Sequence, residues 1–352
     1  MLRSDSAWVM QSKFAPLIVT FYTLATGMIG AALGYWLSFP IYVLIGPALI
    51  VCMLSLTGIR FAIADQVRDI AFLTIGIGIG SEVNSDVTAA LFHWPLAFVI
   101  LAISLLMIML TCRFVLSRMF GLDHRSAVMA STPGHLSLVL SVSTAMGLNV
   151  PNIVVIQSIR LLAMTLIVPF VALFLGFEVG GNIFPAGTPM QLSHFLPLVA
   201  VSFVTGLILK RFKVPAAMLI GAMIVSVTTH VTELTPGTLS PPIALIAFIT
   251  LGTLIGARFS GISFIQLKNS TMAGLTTTLI SAVIAALSAI PIAMALKMPL
   301  AHVVVAFAPG GFEAMVAMGV VLGASPGFVA ACHVVRLLVL PILMPLVLGR
   351  IK

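Results

Sequence analysis

The apolar residues of this chain run together in long stretches, of about the 18 to 25 residues that a helix rising ~1.5 Å per residue needs to cross a ~30 Å hydrocarbon core. Such stretches predict spanning helices rather than core strands. The rest of the composition agrees: 61% of residues are hydrophobic and 7% charged, against roughly 25% charged in soluble domains, so no water-soluble surface can be assembled. The expected class is an all-α polytopic membrane protein. The formal charge of +8 does not point to nucleic acid, because the basic residues punctuate the gaps between apolar runs and no loop is long enough for a DNA-binding domain. Cys52, Cys112 and Cys332 stand singly, with no CxxC spacing, and imply neither a disulfide framework nor a zinc site. Arg3 and Lys13 precede a first apolar run longer than a signal peptide's h-region, which reads as a retained first helix.

The chain is also duplicated. A shift of 176 residues, half of 352, places Phe72, Thr74, Gly76 and Gly80 on Phe248, Thr250, Gly252 and Gly256. The same shift places Pro133-Gly134 on Pro309-Gly310, Gly147 on Gly323, Arg160-Leu161-Leu162 on Arg336-Leu337-Leu338, and Pro169 on Pro345. Upstream the shift becomes 175, with Pro40 and Gly46 on Pro215 and Gly221. Two repeats are expected, 1–176 and 177–352. Spanning candidates in the first are 15–36, 40–58, 64–81, 90–113 and 151–175; in the second they are 194–210, 214–231, 241–257, 268–296 and 326–349. Between the fourth and fifth helices lies an interrupted segment, SAVMASTPGHLSLVLSVSTAMG at 126–147 and HVVVAFAPGGFEAMVAMGVVLG at 302–323.

Whether those segments cross decides the architecture. With Arg3 and Lys13 in the cytoplasm, Arg60, Arg68, Arg113, Arg118 and Arg125 fall inside, and Glu82 and Asp86 outside. If the interrupted segment crosses, Lys210, Arg211 and Lys213 end up outside, against the positive-inside rule. If it dips in and returns, those three fall inside with Arg258, Lys268, Arg350 and Lys352, and only Lys297 is misplaced. The favoured expectation is two inverted repeats of five transmembrane helices, each with a Pro-Gly re-entrant hairpin between the fourth and fifth. Twelve crossings in parallel repeats is the alternative.

The chemistry-bearing residues cluster at these breaks. Proline removes a donor and disfavours helix just before it, so Pro133-Gly134 and Pro309-Gly310-Gly311 should interrupt the helix, and broken backbone at membrane depth marks a substrate site. Half-helices starting at His135 and Phe312 would aim free N–H groups at an anion; a plain kink is the alternative. Arg160 and Arg336 each lie nine or ten residues into a helix, ~14 Å deep, where an unpaired arginine costs at least ~2.5 kcal/mol. They either bind an anionic substrate or stand in for a coupling ion, or they tie down carbonyls of the hairpin. Glu313, opposite Ser137 in the repeat, and His333, opposite Gln157, are candidates for proton or sodium coupling, a structural salt bridge being the other reading of Glu313. His135 is a ligand candidate or simply hydrogen-bonded. The run TIGIGIGSE at 74–82 follows no strand, so Gly76/Gly80 and Gly252/Gly256 read as small-xxx-small helix packing rather than a nucleotide fingerprint.

In STPGHLSLVLSVSTAMG followed by QSIRLL, and FAPGGFEAMVAMGVVLGASPG followed by HVVRLL, the chain resembles the AbrB-type membrane proteins, a bacterial family with a duplicated membrane domain. Members are labelled ammonia monooxygenases or regulators of aidB expression. The family is similar to the cation:proton antiporter and anion transporter group, in which inverted repeats and broken membrane segments are the rule. The resemblance implies an inner-membrane, multi-pass protein and carries a substrate site onto Pro133, Gly134, Pro309, Gly310, Gly311, Arg160 and Arg336. Departures at His135 versus Gly311 and Ser137 versus Glu313 imply unequal roles for the hairpins.

Three functions compete for these residues. A secondary transporter of a small anionic metabolite, working by alternating access, fits the breaks and the arginines. A monooxygenase needs several metal ligands converging, and the seven histidines form no HxH or HExxH pair. A membrane regulator lacks an output domain, although metabolite export changes expression indirectly. No enzymatic activity and no cofactor are expected. The expected partners are the solute and the lipid bilayer, with a homodimer allowed and no nucleic acid contacted directly; both termini are expected in the cytoplasm.

Overall fold

The computed structural model describes residues 15–82, 94–134, 136–174, 187–214 and 216–349. Among them the first repeat supplies α1 (Ala15–Trp36), α2 (Tyr42–Leu56), α3 (Asp65–Ser81), α4 (Pro95–Phe120), α5 (His124–Ser131), α6 (Leu136–Ala145) and α7 (Val150–Phe174). The second supplies α8 (Leu192–Arg211), α9 (Ala217–Val231), α10 (Pro241–Ala257), α11 (Phe264–Leu296), α12 (Leu300–Phe307), α13 (Phe312–Val321) and α14 (Pro326–Leu348). The only pairing of extended backbone among the described residues is an isolated bridge, Pro189 to Thr238.

The breaks fall where proline requires them. Thr132 and Ala308, each preceding a proline, leave helical dihedrals at ψ 113 and 131 and so end α5 and α12. The second half of each interrupted segment closes with Gly147 or Gly323 at φ 66 and 64. There the amides of Leu148 and Ala324 donate to the carbonyls of Ser143 and Gly319, the repeat-related bonds of a helix C-terminus wound into the left-handed region. Helix bounds differ from the sequence expectation mainly at α4, which starts at Pro95 and continues to Phe120. Arg113 and Arg118 are good helix formers and do not stop it; Gly121, at φ 67, does.

Among the described residues six helices, α1, α4, α7, α8, α11 and α14, are long and apolar enough to cross a membrane. Of the other expected spans, α2, α9 and α10 are apolar but only 15, 15 and 17 residues long, and the 17-residue α3 opens with Asp65, Arg68 and Asp69. The two shortest are inner helices: Val43–Ala48 of α2 and Ala217–Ala222 of α9 are buried. They pack across the repeats at the expected glycines. A Cβ on Gly76 of α3 would lie 2.4 Å from the Leu219 carbonyl oxygen of α9, and one on Gly252 of α10 would lie 2.6 Å from that of Leu44 in α2. Only glycine lets these backbones meet.

Contacts divide the helices into two bundles. One, the panel, joins α1–α3 with α8–α10; the other, the hairpin bundle, joins α4–α7 with α11–α14. Each repeat therefore contributes to both. Several contacts bring helix ends from the two repeats together. Lys210 at the end of α8 pairs with Asp69 at the start of α3 at 2.7 Å, and the Phe61 amide after α2 donates to Ser260 Oγ after α10 at 2.9 Å. Phe120 and Leu122 at the end of α4 share a cavity with Asn149 before α7 and Gln266 in the first turn of α11. Deeper in, Cys112 Sγ of α4 lies 3.7 Å from Ser281 Oγ of α11, so α4 and α11 run antiparallel. At the opposite end Trp94, which precedes α4, stacks edge-on against Phe328 in the first turn of α14, with centroids 5.3 Å apart.

Candidate functional site

Both repeat-related arginines are buried, at 0% and 2% exposure, and each turns back to the break of its own repeat. Arg160 Nη2 donates to the Thr132 carbonyl at 3.1 Å and to Gln157 Oε1 at 2.7 Å, while Nη1 reaches the Ser131 carbonyl at 3.5 Å. Gln157 completes the clamp, donating from Nε2 to the carbonyls of Met129 and Thr132. In the second repeat Arg336 donates to the carbonyls of Ala308 at 2.8 Å and Gly310 at 3.0 Å. Interrupting a helix strips its last carbonyls of their partners, and a guanidinium fork supplies two donors at once. Of the two roles expected for these arginines, the geometry displays carbonyl binding.

Gln157 and His333 occupy equivalent positions but do different work. His333 is fully buried and its Nδ1 lies 3.0 Å from the Val329 carbonyl, which can only accept, so Nδ1 carries a proton. Its Nε2 has no hydrogen-bond partner among the described residues, and the ring lies 6.1 Å from that of Phe312. His135 and the side chain of Glu313 lie outside the described residues.

Pro133 is buried, and Gly134, at φ 152, packs against α14: a Cβ there would stand 2.4 Å from Leu340 Cδ1 and would displace that side-chain tip. The second break faces α7 in return, since Pro309 lines an apolar cavity of about 120 Å³ with Met164 and Val168, and Met164 is the repeat counterpart of Leu340. Each break thus packs toward the long helix of the other repeat.

The breaks meet at a larger cavity of about 380 Å³ between the two bundles. From the hairpin bundle come Leu136 at the start of α6, Gly311 and Ala314 around the start of α13, and Leu161 and Thr165 of α7. The panel contributes Phe61–Ile63, Arg68, Phe72 and the end of α10 through Arg258. Of the residues singled out from sequence, Gly311 lines this space; Arg160 and Arg336 stand behind it. Sequence reading missed the two cations that do line it. Arg68 is paired with Asp65 at 2.7 Å and Asp69 at 2.9 Å, whereas Arg258 has no ion pair among the described residues. In the sequence both are topology signals only, since their approach depends on the turn after α2 meeting the turn after α10.

Among the described residues no three histidine, cysteine or carboxylate side chains gather at one point, and the three cysteines are free and buried. A family described as transition state regulatory protein AbrB matches residues 43–352, which takes in both breaks, both arginines and the cavity. The chain is also 27% identical over 293 residues to the uncharacterized protein YhjN of Bacillus subtilis (strain 168), covering 78% of this chain and 75% of that one.

Proposed function

The chain belongs to the AbrB family, and we propose that it is a secondary membrane transporter that moves a small anionic metabolite by alternating access. One observation carries the reading: a cavity of about 380 Å³ between two bundles, reached by the broken segments of both repeats and lined by Arg68 and Arg258. The first turns of α6 and α13 begin at that cavity, and free amide N–H groups at a helix start favour negative charge, as does the guanidinium of Arg258, whereas Arg68 is offset by Asp65 and Asp69. Apolar neighbours such as Phe72 and Leu251 would face the remainder of a small organic acid.

The architecture we propose is the inverted repeat with two re-entrant hairpins. The Lys210–Asp69 pair and the Phe61–Ser260 bond support it, because parallel repeats would hold those groups a membrane thickness apart. That α7 starts beside the end of α4 supports a segment that returns to the face it entered. On this reading Arg60, Arg68, Arg118, Arg125, Lys210, Arg258 and Lys268 share one face, which is the cytoplasmic one by the positive-inside rule, in a bacterial inner membrane. Coupling to protons or sodium we assign to Glu313 and His333 in the second hairpin region. The regulatory term in the family's description fits the same activity, since moving a metabolite changes expression indirectly.

The test is uptake by the purified protein in liposomes, screened over carboxylic and amino acids under imposed ion gradients. Arg258→Ala is expected to raise the half-saturating solute concentration about ten- to a hundredfold, in line with ~1.5–3 kcal/mol for a charged hydrogen bond, and to leave the fold intact. His333→Gln, which installs the first repeat's residue, is expected to flatten the pH dependence of uptake. Folded protein that moves none of these solutes under any gradient would sink the transporter reading.

A further inference from the structure

The repeat that aligns the two halves also aligns two cavities. Besides the large space between the bundles, α3 and α10 enclose a small apolar one of about 20 Å³, lined by Ile75, Gly78, Ile79, Leu239, Ala244, Ala247 and Phe248. Six of these seven are repeat counterparts of residues lining the large cavity. Ile75, Gly78 and Ile79 correspond to Leu251, Leu254 and Ile255; Leu239, Ala244 and Phe248 correspond to Ile63, Arg68 and Phe72. The same wall thus exists twice, toward opposite ends of the antiparallel pair α3 and α10. One copy encloses about 380 Å³ and the other about 20 Å³, scarcely more than a water needs.

The difference has a visible cause. At the small cavity Leu239 is 3% exposed and lies over Gly78, where a Cβ would come within 3.0 Å of Leu239 Cδ2. A leucine seats here because its socket is a glycine; the counterpart pair, Ile63 and Leu254, has side chains on both sides and lines open space. The two breaks also differ in packing, with α13 and α14 packed onto α3 and Phe312 buried at 6% exposure. Its counterpart, Leu136, is only partly buried and lines the large cavity.

We propose that the Leu239–Gly78 pocket is the second mouth of the transport path, shut in the state described here, and that the pathway alternates by opening this mouth as the Arg68–Arg258 mouth closes. The inference rests on the transporter reading above and names what that reading leaves open: the residues of the far gate. Two walls related by an inverted repeat can exchange conformations, so the closed copy shows what the open one becomes. The two mouths differ in charge at one position, because Arg68 is offset by Asp65 and Asp69 whereas Arg258, without an ion pair among the described residues, has Glu82 as its counterpart. Arg258 therefore favours an anion at the open mouth.

Single cysteines report the gate without knowledge of the solute. Ile63→Cys, Leu239→Cys and Ala244→Cys are made in the full chain, in sealed vesicles, and a membrane-impermeant maleimide is applied to one face or the other. The parent chain, with its three cysteines buried, gives the background. Cys at 63 is expected to react from one face, and Cys at 239 and 244 only from the opposite face, at least tenfold more slowly. Gly78→Ala, which crowds the flexible tip of Leu239 rather than backbone, is expected to speed labelling at 244 several-fold. Labelling at 244 from the same face as 63 overturns the proposal. So does the absence of labelling at both 239 and 244, with and without Gly78→Ala, in protein whose Cys at 63 reacts. In either case uptake in liposomes would show the transporter standing with a different far gate, whereas opposite-face labelling with no uptake of any solute would count against transport alone.

Discussion

A fully buried guanidinium is tolerated only where oxygen atoms replace its water, and the two arginines at 160 and 336 find them in carbonyls that a proline-broken helix has left without donors. Charge and break are thus mutually dependent. Arg336→Ala would orphan the carbonyls of Ala308 and Gly310, at about 1–3 kcal/mol each, so a loss of roughly 2–6 kcal/mol is expected. Arg336→Lys should recover part of it, because one ammonium cannot reproduce the planar fork. Thermal unfolding in detergent checks both; an alanine variant melting like the parent would mean the carbonyls have other donors. The relation of these arginines by the repeat and their place within long apolar helices were legible in the sequence. Carbonyl binding stood there as one of two readings, and only packing decides which oxygen atoms the guanidinium reaches. For the same reason Arg68 and Arg258, at helix ends, carried no sign of a cavity.

At the level of elements, the glycines set how closely helices from different repeats can approach. Leu219 O lies in the path of any side chain at Gly76, and a backbone carbonyl cannot rotate away as a side chain can. Gly76→Ala should therefore separate α3 from α9 at a cost of about 1–3 kcal/mol, as overpacking generally does. The accompanying sign is a change in the Lys210–Asp69 pair, which joins α8 to α3 at 2.7 Å. A lowered melting temperature is the measurement, and an unchanged one would show that the panel tolerates a wider crossing. The order of elements and the site of each break were readable because proline and glycine act locally. The division into panel and hairpin bundles was not, since apolar faces of similar composition give no indication of which partner they select.

For the whole molecule the central question is how the two copies are oriented across the bilayer. His124 and Leu300 open α5 and α12 at equivalent positions, and both are exposed. In parallel repeats they must emerge on one face; in inverted repeats they must emerge on opposite faces. The bonds that hold Lys210 to Asp69 and Phe61 to Ser260 favour the second arrangement, and so does the cavity that Phe120 at the end of α4 shares with Gln266 at the start of α11. His124→Cys and Leu300→Cys, labelled in sealed vesicles with an impermeant reagent, should therefore react from opposite faces, the first from the cytoplasmic side. Arg125, beside His124, belongs to the basic set, and Lys297, just before Leu300, is the one lysine that the positive-inside rule leaves outside. Reaction of both from the same side would return the chain to parallel repeats and leave the Lys210–Asp69 pair without an explanation. Reaction from opposite sides would require the two broken segments to approach the cavity from opposite directions, as inverted repeats do.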